Sequence, residues 1–497
     1  MQLPFGEWLP DQPEHLNPGA TVATNVYYAA NSYKPVKDLV AYSSNTVTEN
    51  AKGAGSFRDN TNTVYNFVAT TDDIFQLSSG TFTSRKSGLT GTNTDFWTFT
   101  QFGNYVIASN GVDAPQYYLM GTSTNFANLS AIATAGTVPT FKVSGVIRDF
   151  LVTGNIANAT NRVQWSGLND ITTWEAGVSS SDQQDLPGSG GQVVAITSGE
   201  VGYVFRQNQI IRMDFVGGAT VFRFSVISPN RGAVYGQTVC QDNRQIFFYA
   251  EDGFFQINGD QVLPIGSEKV NRFFDEDVNK AYTDRISAAV DPFNTLAIWL
   301  YPSKNNAANT TGICDRLLIY NYVTQKWSIA NVFASQIFSQ FVGAYTVETM
   351  DLISENLDEI NISLDTPFWS GGQIYLGAID SNFKAAIFSG TNLEAEIETK
   401  ETEIFPGVRA NITGVRPLVD STSNVIVKTR DRLADTVTSS SSSTINSTGI
   451  SPVRQSGRYM RANVKIPAGT LWTHAQGIDL EASPGGLRWV KKLIWIM

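Results

Sequence analysis

Cysteine and histidine are nearly absent: among 497 residues only Cys240, Cys314, His15 and His474 can supply a thiol or an imidazole. That excludes a disulfide-built scaffold and a zinc site of ordinary Cys/His spacing, which need several such groups, and leaves almost no material for a histidine-relayed nucleophile. The two cysteines lie far apart with no metal-ligand spacing. Two buried thiols are the default reading, and a bridge stays open as the alternative. Long apolar runs are missing too. The longest, such as 295–301, fall far short of the ~20 residues that cross a bilayer. The start Met1-Gln2-Leu3-Pro4-Phe5-Gly6-Glu7 has neither the basic nor the apolar region of a signal peptide, so synthesis in a cytoplasm is expected. Positive charge is short, with 35 basic against 45 acidic residues and a net charge of −10. Affinity for nucleic acid comes mainly from basic side chains displacing counterions, so a protein that grips phosphates is disfavoured.

Motifs of chemistry are equally scarce. Gly188-Ser189-Gly190-Gly191 has no following Lys-Ser/Thr and reads as a turn, not a phosphate loop. Carboxylate pairs such as Asp72-Asp73 occur, but nothing marks one pair for glycoside hydrolysis. Ser166–Trp174 is faintly similar to the Asp-box of sialidases but lacks its glycine spacing, and is expected to pack a blade. No enzyme, cofactor or metal site is expected.

Glycine and aromatics are abundant, with Gly 41, Phe 29, Tyr 18 and Trp 10. Glycine punctuates strands with turns and aromatics suit a half-buried pleated surface, so the composition leans all-β. From about Tyr65 to Gly390 short aromatic or β-branched strands alternate with Gly/Asn/Asp turns. The pairs are 65–69 with 74–77, 97–99 with 105–108, 150–153 with 162–165, and 202–205 with 210–215. They continue as 245–249 with 253–257, 295–301 with 316–320, and 373–376 with 385–388. Hairpins repeating every ~40–50 residues have the blade size of a β-propeller, here about six to eight blades. A series of sandwiches is the competing architecture. Two interruptions, 269–278 and 346–363, have helical spacing.

The ends differ from the middle. Residues 1–45 carry Pro4, Pro10, Pro13, Pro18 and Pro35, which forbid a helix and predict an extended arm. The propeller is expected over 46–403. Residues 404–497 form a small β-domain holding twelve of the 35 basic but only five of the 45 acidic residues, +7 against −17 for the rest. The run 439–443 is expected as a flexible loop. The apolar tail 487–497, with Trp489 and Trp495, is expected to dock on its own sheet or on a neighbour.

In this order the chain carries Pro4-Phe5-Gly6-Glu7-Trp8-Leu9-Pro10-Asp11, Asn25-Val26-Tyr27, Tyr33-Lys34-Pro35 and Arg162-Val163-Gln164-Trp165-Ser166. Then come Glu251-Asp252-Gly253-Phe254-Phe255, Val290-Asp291-Pro292, Ile298-Trp299, Ser363-Leu364-Asp365 and Trp369-Ser370-Gly371-Gly372. Gly414-Val415-Arg416-Pro417-Leu418-Val419, Ser456-Gly457-Arg458-Tyr459 and Trp472-Thr473-His474-Ala475-Gln476-Gly477 close the series. Over nearly its whole length the sequence resembles the nozzle, or packaged-DNA stabilisation, proteins of short-tailed bacteriophages. The resemblance implies a virion structural protein made in a bacterial cytoplasm, forming a hexameric ring below the portal and a tail adaptor ring. It implies a central propeller in each subunit and genomic DNA passing non-specifically along the ring axis. Tail spikes, fibres or a needle are further implied partners, although the larger insertions of some relatives are missing here. A tail propeller that recognises cell-surface glycan is the alternative, and a glycan-cleaving propeller a third.

A nozzle must surround DNA without holding it. An acidic wall repels DNA over roughly a Debye length of ~8 Å. Asp275, Glu276 and Asp277, and Glu394, Glu396 and Glu398 with Glu401 and Glu403, are the candidates for such a wall. The period of two puts Glu394, Glu396 and Glu398 on one strand face, which requires water or basic neighbours and suggests pairing across a subunit interface. Arg430, Arg432, Arg454, Arg458 and Arg461 are the candidates for contact with an acidic partner, either the propeller body or the adaptor ring, because guanidinium forks pair well with carboxylates.

Overall fold

In the computed structural model, which describes residues 1–15, 17–218, 220–304, 312–342 and 373–485, seven four-stranded antiparallel units surround one axial cavity. Their innermost strands are Gly53–Arg58, Thr98–Phe102, Phe141–Ile147, Val193–Ile196, Cys240–Asp242, Ser287–Asp291 and residues 334–341. All seven contribute to the wall of that cavity. This is a seven-bladed β-propeller. The hairpins expected from the sequence fall one in each blade, and in every blade but the second they are its two middle strands. The reason is burial: a middle strand is covered on both faces, as in Leu296–Tyr301 where every residue is buried, so its apolar run is unbroken. Inner and rim strands face the cavity or solvent and read more weakly.

Blades 6 and 7 share one strand. The first half of Lys326–Phe341 pairs with Cys314–Asn321 as the outer strand of blade 6. Its second half pairs with Ile374–Asp380 as the innermost strand of blade 7. The outermost strand of blade 7 is Lys37–Ala41, which pairs with Ala385–Asn392. The arm therefore closes the ring, and the expected boundary at residue 45 cuts through the propeller. Closure without a covalent link is held by hydrogen bonds at the blade junctions. Phe341 N–H donates to Ser56 Oγ between blades 7 and 1 at 2.7 Å, and Gln101 Nε2 to the Arg58 carbonyl between blades 1 and 2 at 2.7 Å. Thr100 and Ser144 join blades 2 and 3, and Val146 N–H meets Ser198 Oγ between blades 3 and 4. Gln241 reaches the Ser198 carbonyl, Trp299 Nε1 the Thr238 carbonyl and Ile337 N–H the Ser287 hydroxyl, which completes the circuit.

The two ends of the chain build one β-sandwich. One sheet contains Gln2–Pro4, Val26–Ala29, Ser32–Pro35, Ala475–Gly485, Arg409–Val419 and Ser451–Gly457. The other contains Val22–Thr24, Ala395–Glu398, Tyr459–Ile466 and Asn424–Arg430. That second sheet continues blade 6 through a parallel pairing of Thr24 with Ile329. The sandwich thus begins at residue 395, inside the span expected for the propeller, and takes strands from the arm. Leu3, Phe5, Trp8, Tyr33, Trp299, Trp327, Val415 and Trp472 share one core across arm, blade 6 and C-terminal module. Gly477 permits the crossing of the first strand, since a Cβ there would lie 2.3 Å from the Leu3 carbonyl oxygen.

The helix expected at 269–278 is Asn271–Asp277, in the connection from blade 5 to blade 6, with Asp11 of the arm accepting from the Arg272 and Phe273 amides. The serine run is no free loop: Thr438–Ser439 and Ser443–Thr444 both pair with Asn424–Arg430. The expected helix 346–363, the fragments 363–365 and 369–372, and the tail with Trp489 and Trp495 lie outside the described residues. Among the described residues no helix is long and apolar enough to cross a membrane.

Candidate functional site

The acidic stripe and the arginines expected to face partners meet each other within the chain. In Ala395–Glu398 the residues Ala395 and Ile397 point into the sandwich core while Glu396 and Glu398 share the other face, as the period of two requires. Tyr459–Ile466 beside it, and Asn424–Arg430 one strand further, supply the cations. Arg461 lies 2.9 Å from Glu398, Lys428 also contacts Glu398, and Lys465 lies 3.3 Å from Glu396. Arg430 binds Glu401 at 2.6 Å and Arg458 binds Glu403 at 2.7 Å. Glu14 of the arm bridges Arg461 at 2.8 Å and Arg430 at 3.3 Å. His15, beside it, pairs in parallel with Glu401 and sets its ring edge-on to Tyr459.

The side chains of Glu398 and Glu401 are each only 2% exposed. A carboxylate so far from water persists as an ion only beside a cation, so these pairs are obligatory neighbours. Their electrostatics agree. The hydrogen bond from Arg461 holds the Glu14 carboxyl below its ordinary range, and Arg458 does the same for Glu403. Glu401, first, and Glu14 raise Arg430 in return.

This overturns part of the expected wall. Glu398 is buried and Glu396 half-buried in intrachain pairs, leaving Glu394 exposed. In the other cluster Asp277 is buried, accepting from the Tyr301 hydroxyl at 2.8 Å and lying 3.1 Å from Arg316. Burial, reinforced by that carboxylate, pushes the Tyr301 phenol well up. Asp275 pairs with Lys280 and Glu276 lies at 4.0 Å from Arg272, both on the surface. Arg430 and Arg461 are likewise spent inside the chain, while Arg432 and Arg454 are exposed. The partner that sequence reasoning missed was Glu14, an isolated acid in a proline-rich arm with no pattern to mark it.

The axial cavity is of another kind. It measures about 550 Å³ and, among the described residues, no charged one lines it. Its polar groups include Gln101, Gln237, Gln241, Gln336, Thr98 and Ser339, and its aromatic ones include Phe57, Phe96, Trp97, Phe99 and Phe338. Trp174, from the Asp-box-like stretch, packs between blades and donates to the Ile171 carbonyl. Gly188-Ser189-Gly190-Gly191 is a turn whose Gly188 and Gly191 carbonyls accept from buried Arg206. Among the described residues no three His, Cys, Asp or Glu side chains group as metal ligands.

No known family matches the chain, and no curated protein does either. Among solved structures, a chain of the mitotic checkpoint complex aligns over 73% of this chain and 96% of its own, at 10% identity and a TM-score of 0.38. BamB from Moraxella catarrhalis aligns over 73% of this chain and 95% of its own, at 10% identity and a TM-score of 0.37. Likeness of that degree bears on no function, and the propeller assignment rests on the seven sheets themselves.

Proposed function

We propose that this chain is a structural protein of a short bacteriophage tail, forming a hexameric nozzle that retains packaged DNA and conducts it during ejection. One observation carries the reading beyond the sequence resemblance. Fragments scattered from Phe5 and Trp8 through Tyr33 and Trp299 to Val415 and Trp472 converge in one core that welds arm, blade and C-terminal module. A rigid body with a propeller at one end and a sandwich at the other suits a ring subunit that must hold its geometry against a pressurised genome. DNA passes between copies in this reading, along the axis of the ring. A cavity of about 550 Å³ inside one propeller is of small-molecule size.

The chain's net charge of −10 favours sliding over gripping, because a basic lumen would hold the duplex by counterion release. Arg432 and Arg454, exposed on the C-terminal module, are the contacts offered to an adaptor ring. Electron microscopy of the purified chain, alone and with its adaptor, tests the proposal. Six-fold rings with an axial opening are expected, and single subunits in the presence of the adaptor would overturn it. The glycan-binding alternative draws on the uncharged, partly aromatic axial cavity. Calorimetric titration with host surface oligosaccharide separates the two.

A further inference from the structure

Every blade but one has a rim that resists strand addition. Blade 1 ends its rim strand in Arg85 and Lys86, and the rim of blade 2 is the two residues Ala127–Asn128. Blade 3 has an aspartate at each end of Asp182–Asp185, and blade 5 has the four residues Gln261–Pro264, closing on a proline. Blade 6 is covered by Val22–Thr24, and blade 7 opens its rim with Lys37 and Asp38. Charge, brevity, proline and cover are the devices by which sheet edges avoid one another.

Blade 4 lacks brevity, proline and cover, and has little charge. Its rim strand Phe222–Ser228 is seven residues long, carries the single charge of Arg223 and stands last in its sheet. Val216 N–H donates to the Val221 carbonyl at 3.0 Å where the hairpin begins. Antiparallel pairing alternates from there, so Arg223 and Ser225 bond inward while Phe222, Phe224 and Val226 turn their N–H and C=O groups off the sheet. Phe222 and Phe224 anchor the strand against Trp165, with ring centroids 5.2 and 6.3 Å away, and Val226 on the same face is 53% exposed.

We propose that this rim is a self-pairing edge, along which two copies of the chain join antiparallel about a twofold axis at Phe224. In that register Phe224 lies opposite its own equivalent and Phe222 opposite that of Val226. All the outward-turned residues then bond to one another. Arg223 falls opposite the equivalent of Ser225, so the edge's one charge never meets its own copy. A backbone edge recognises another backbone, and in this register the stretch matches itself in apolar pairs and sets no like charges opposite one another. The pairing is independent of the nozzle reading. Neighbours within a sixfold ring meet head to tail, so a twofold edge joins free subunits or whole rings.

Sedimentation of the full chain across a concentration series tests this. The wild type is expected to rise with concentration to twice its dilute mass. V226P removes an outward N–H without touching the inward ladder, and V226K adds a charge to the edge. Both are expected to stay at the dilute mass, and V226K, which keeps the backbone donor, carries the test if V226P fails to melt cooperatively. Because residue 225 faces Arg223 of the other copy, S225E should tighten pairing about two- to tenfold and S225R weaken it. A wild-type mass independent of concentration, doublets that persist in both Val226 variants, or S225E and S225R moving the midpoint in the same direction would each overturn the proposal. Six-fold rings remain a separate readout.

Discussion

Arg430 holds Glu401 at 2.6 Å with both side chains almost wholly withdrawn from water. The pair sits within the sandwich, between the end of Asn424–Arg430 and the segment just after Ala395–Glu398, and Glu14 brings the arm onto the same guanidinium. Removing Glu401 leaves the withdrawn Arg430 guanidinium only the more distant, half-exposed Glu14 as carboxylate partner, against a cost of about 3–5 kcal/mol for wholly breaking a buried pair. Glu401→Ala is therefore expected to lower stability by up to that much in urea unfolding. The double substitution of Glu401 by Leu and Arg430 by Met should recover most of it, since an apolar pair of similar size escapes the desolvation cost. A loss below about 1 kcal/mol in the single variant would show that the seam merely decorates the fold.

Acid should release the arm before it unfolds the propeller. Glu14 and Glu403 have carboxyls held below their ordinary value of 4.5 by Arg461 and Arg458. A carboxylate whose folded pKa is depressed stabilises the fold at all pH values above its unfolded pKa, and that contribution fades as pH falls through the depressed value. Protection of residues 1–24 against amide exchange is expected to be flat above 4.5 and to decline below it. Glu14→Gln should lower the protection at neutral pH and flatten the dependence. An acid profile unchanged in Glu14→Gln would place the sensitivity elsewhere.

The propeller was legible because its strongest signal is repeated. Each blade has doubly covered strands, and runs such as Phe247-Phe248 or Ile298-Trp299-Leu300 announce them without reference to the rest of the chain. What stayed hidden was every relation between distant residues. Lys37–Ala41 looks like arm because its own burial is shallow, and only its pairing with Ala385–Asn392 makes it a blade strand. Of the acidic stripe, Glu396 and Glu398 share one strand face beside basic neighbours, while Glu394 precedes the strand and is exposed. Those neighbours, Lys428, Arg461 and Lys465, lay in this chain and not in another. Charge segregated along the sequence was charge paired in space.

Ring closure predicts a sensitivity at Ser56. Its hydroxyl accepts from Phe341 N–H at 2.7 Å and contacts Asn66, whose amide in turn reaches the Phe341 carbonyl at 3.2 Å. Ser56→Ala leaves that amide without its partner at the junction between the last blade and the first, a cost of about 1–3 kcal/mol. Thr63→Ala, in an exposed turn of the same blade, serves as the control and should fall within ~0.5 kcal/mol of wild type. Equal melting temperatures for both variants would mean that strand pairing by Lys37–Ala41 alone keeps the ring shut.

Cys240 and Cys314 make the ring's opening measurable. Both are free and buried, and burial pushes both thiols far above their ordinary value of 9.0. The thiolate is the reactive form, so a raised pKa and poor access act together against modification. Neither cysteine is expected to react with a thiol-specific disulfide reagent in the native protein, and both should react in denaturant. The two report on different events. Cys240 lies on the innermost strand of blade 5, in the wall of the axial cavity. Cys314 begins the third strand of blade 6, next to the blade that the arm closes. Loosening closure with Ser56→Ala should therefore expose Cys314 sooner than global unfolding does. Simultaneous labelling of both thiols, at the rate of cooperative unfolding, would instead show that propeller and closure melt as one unit.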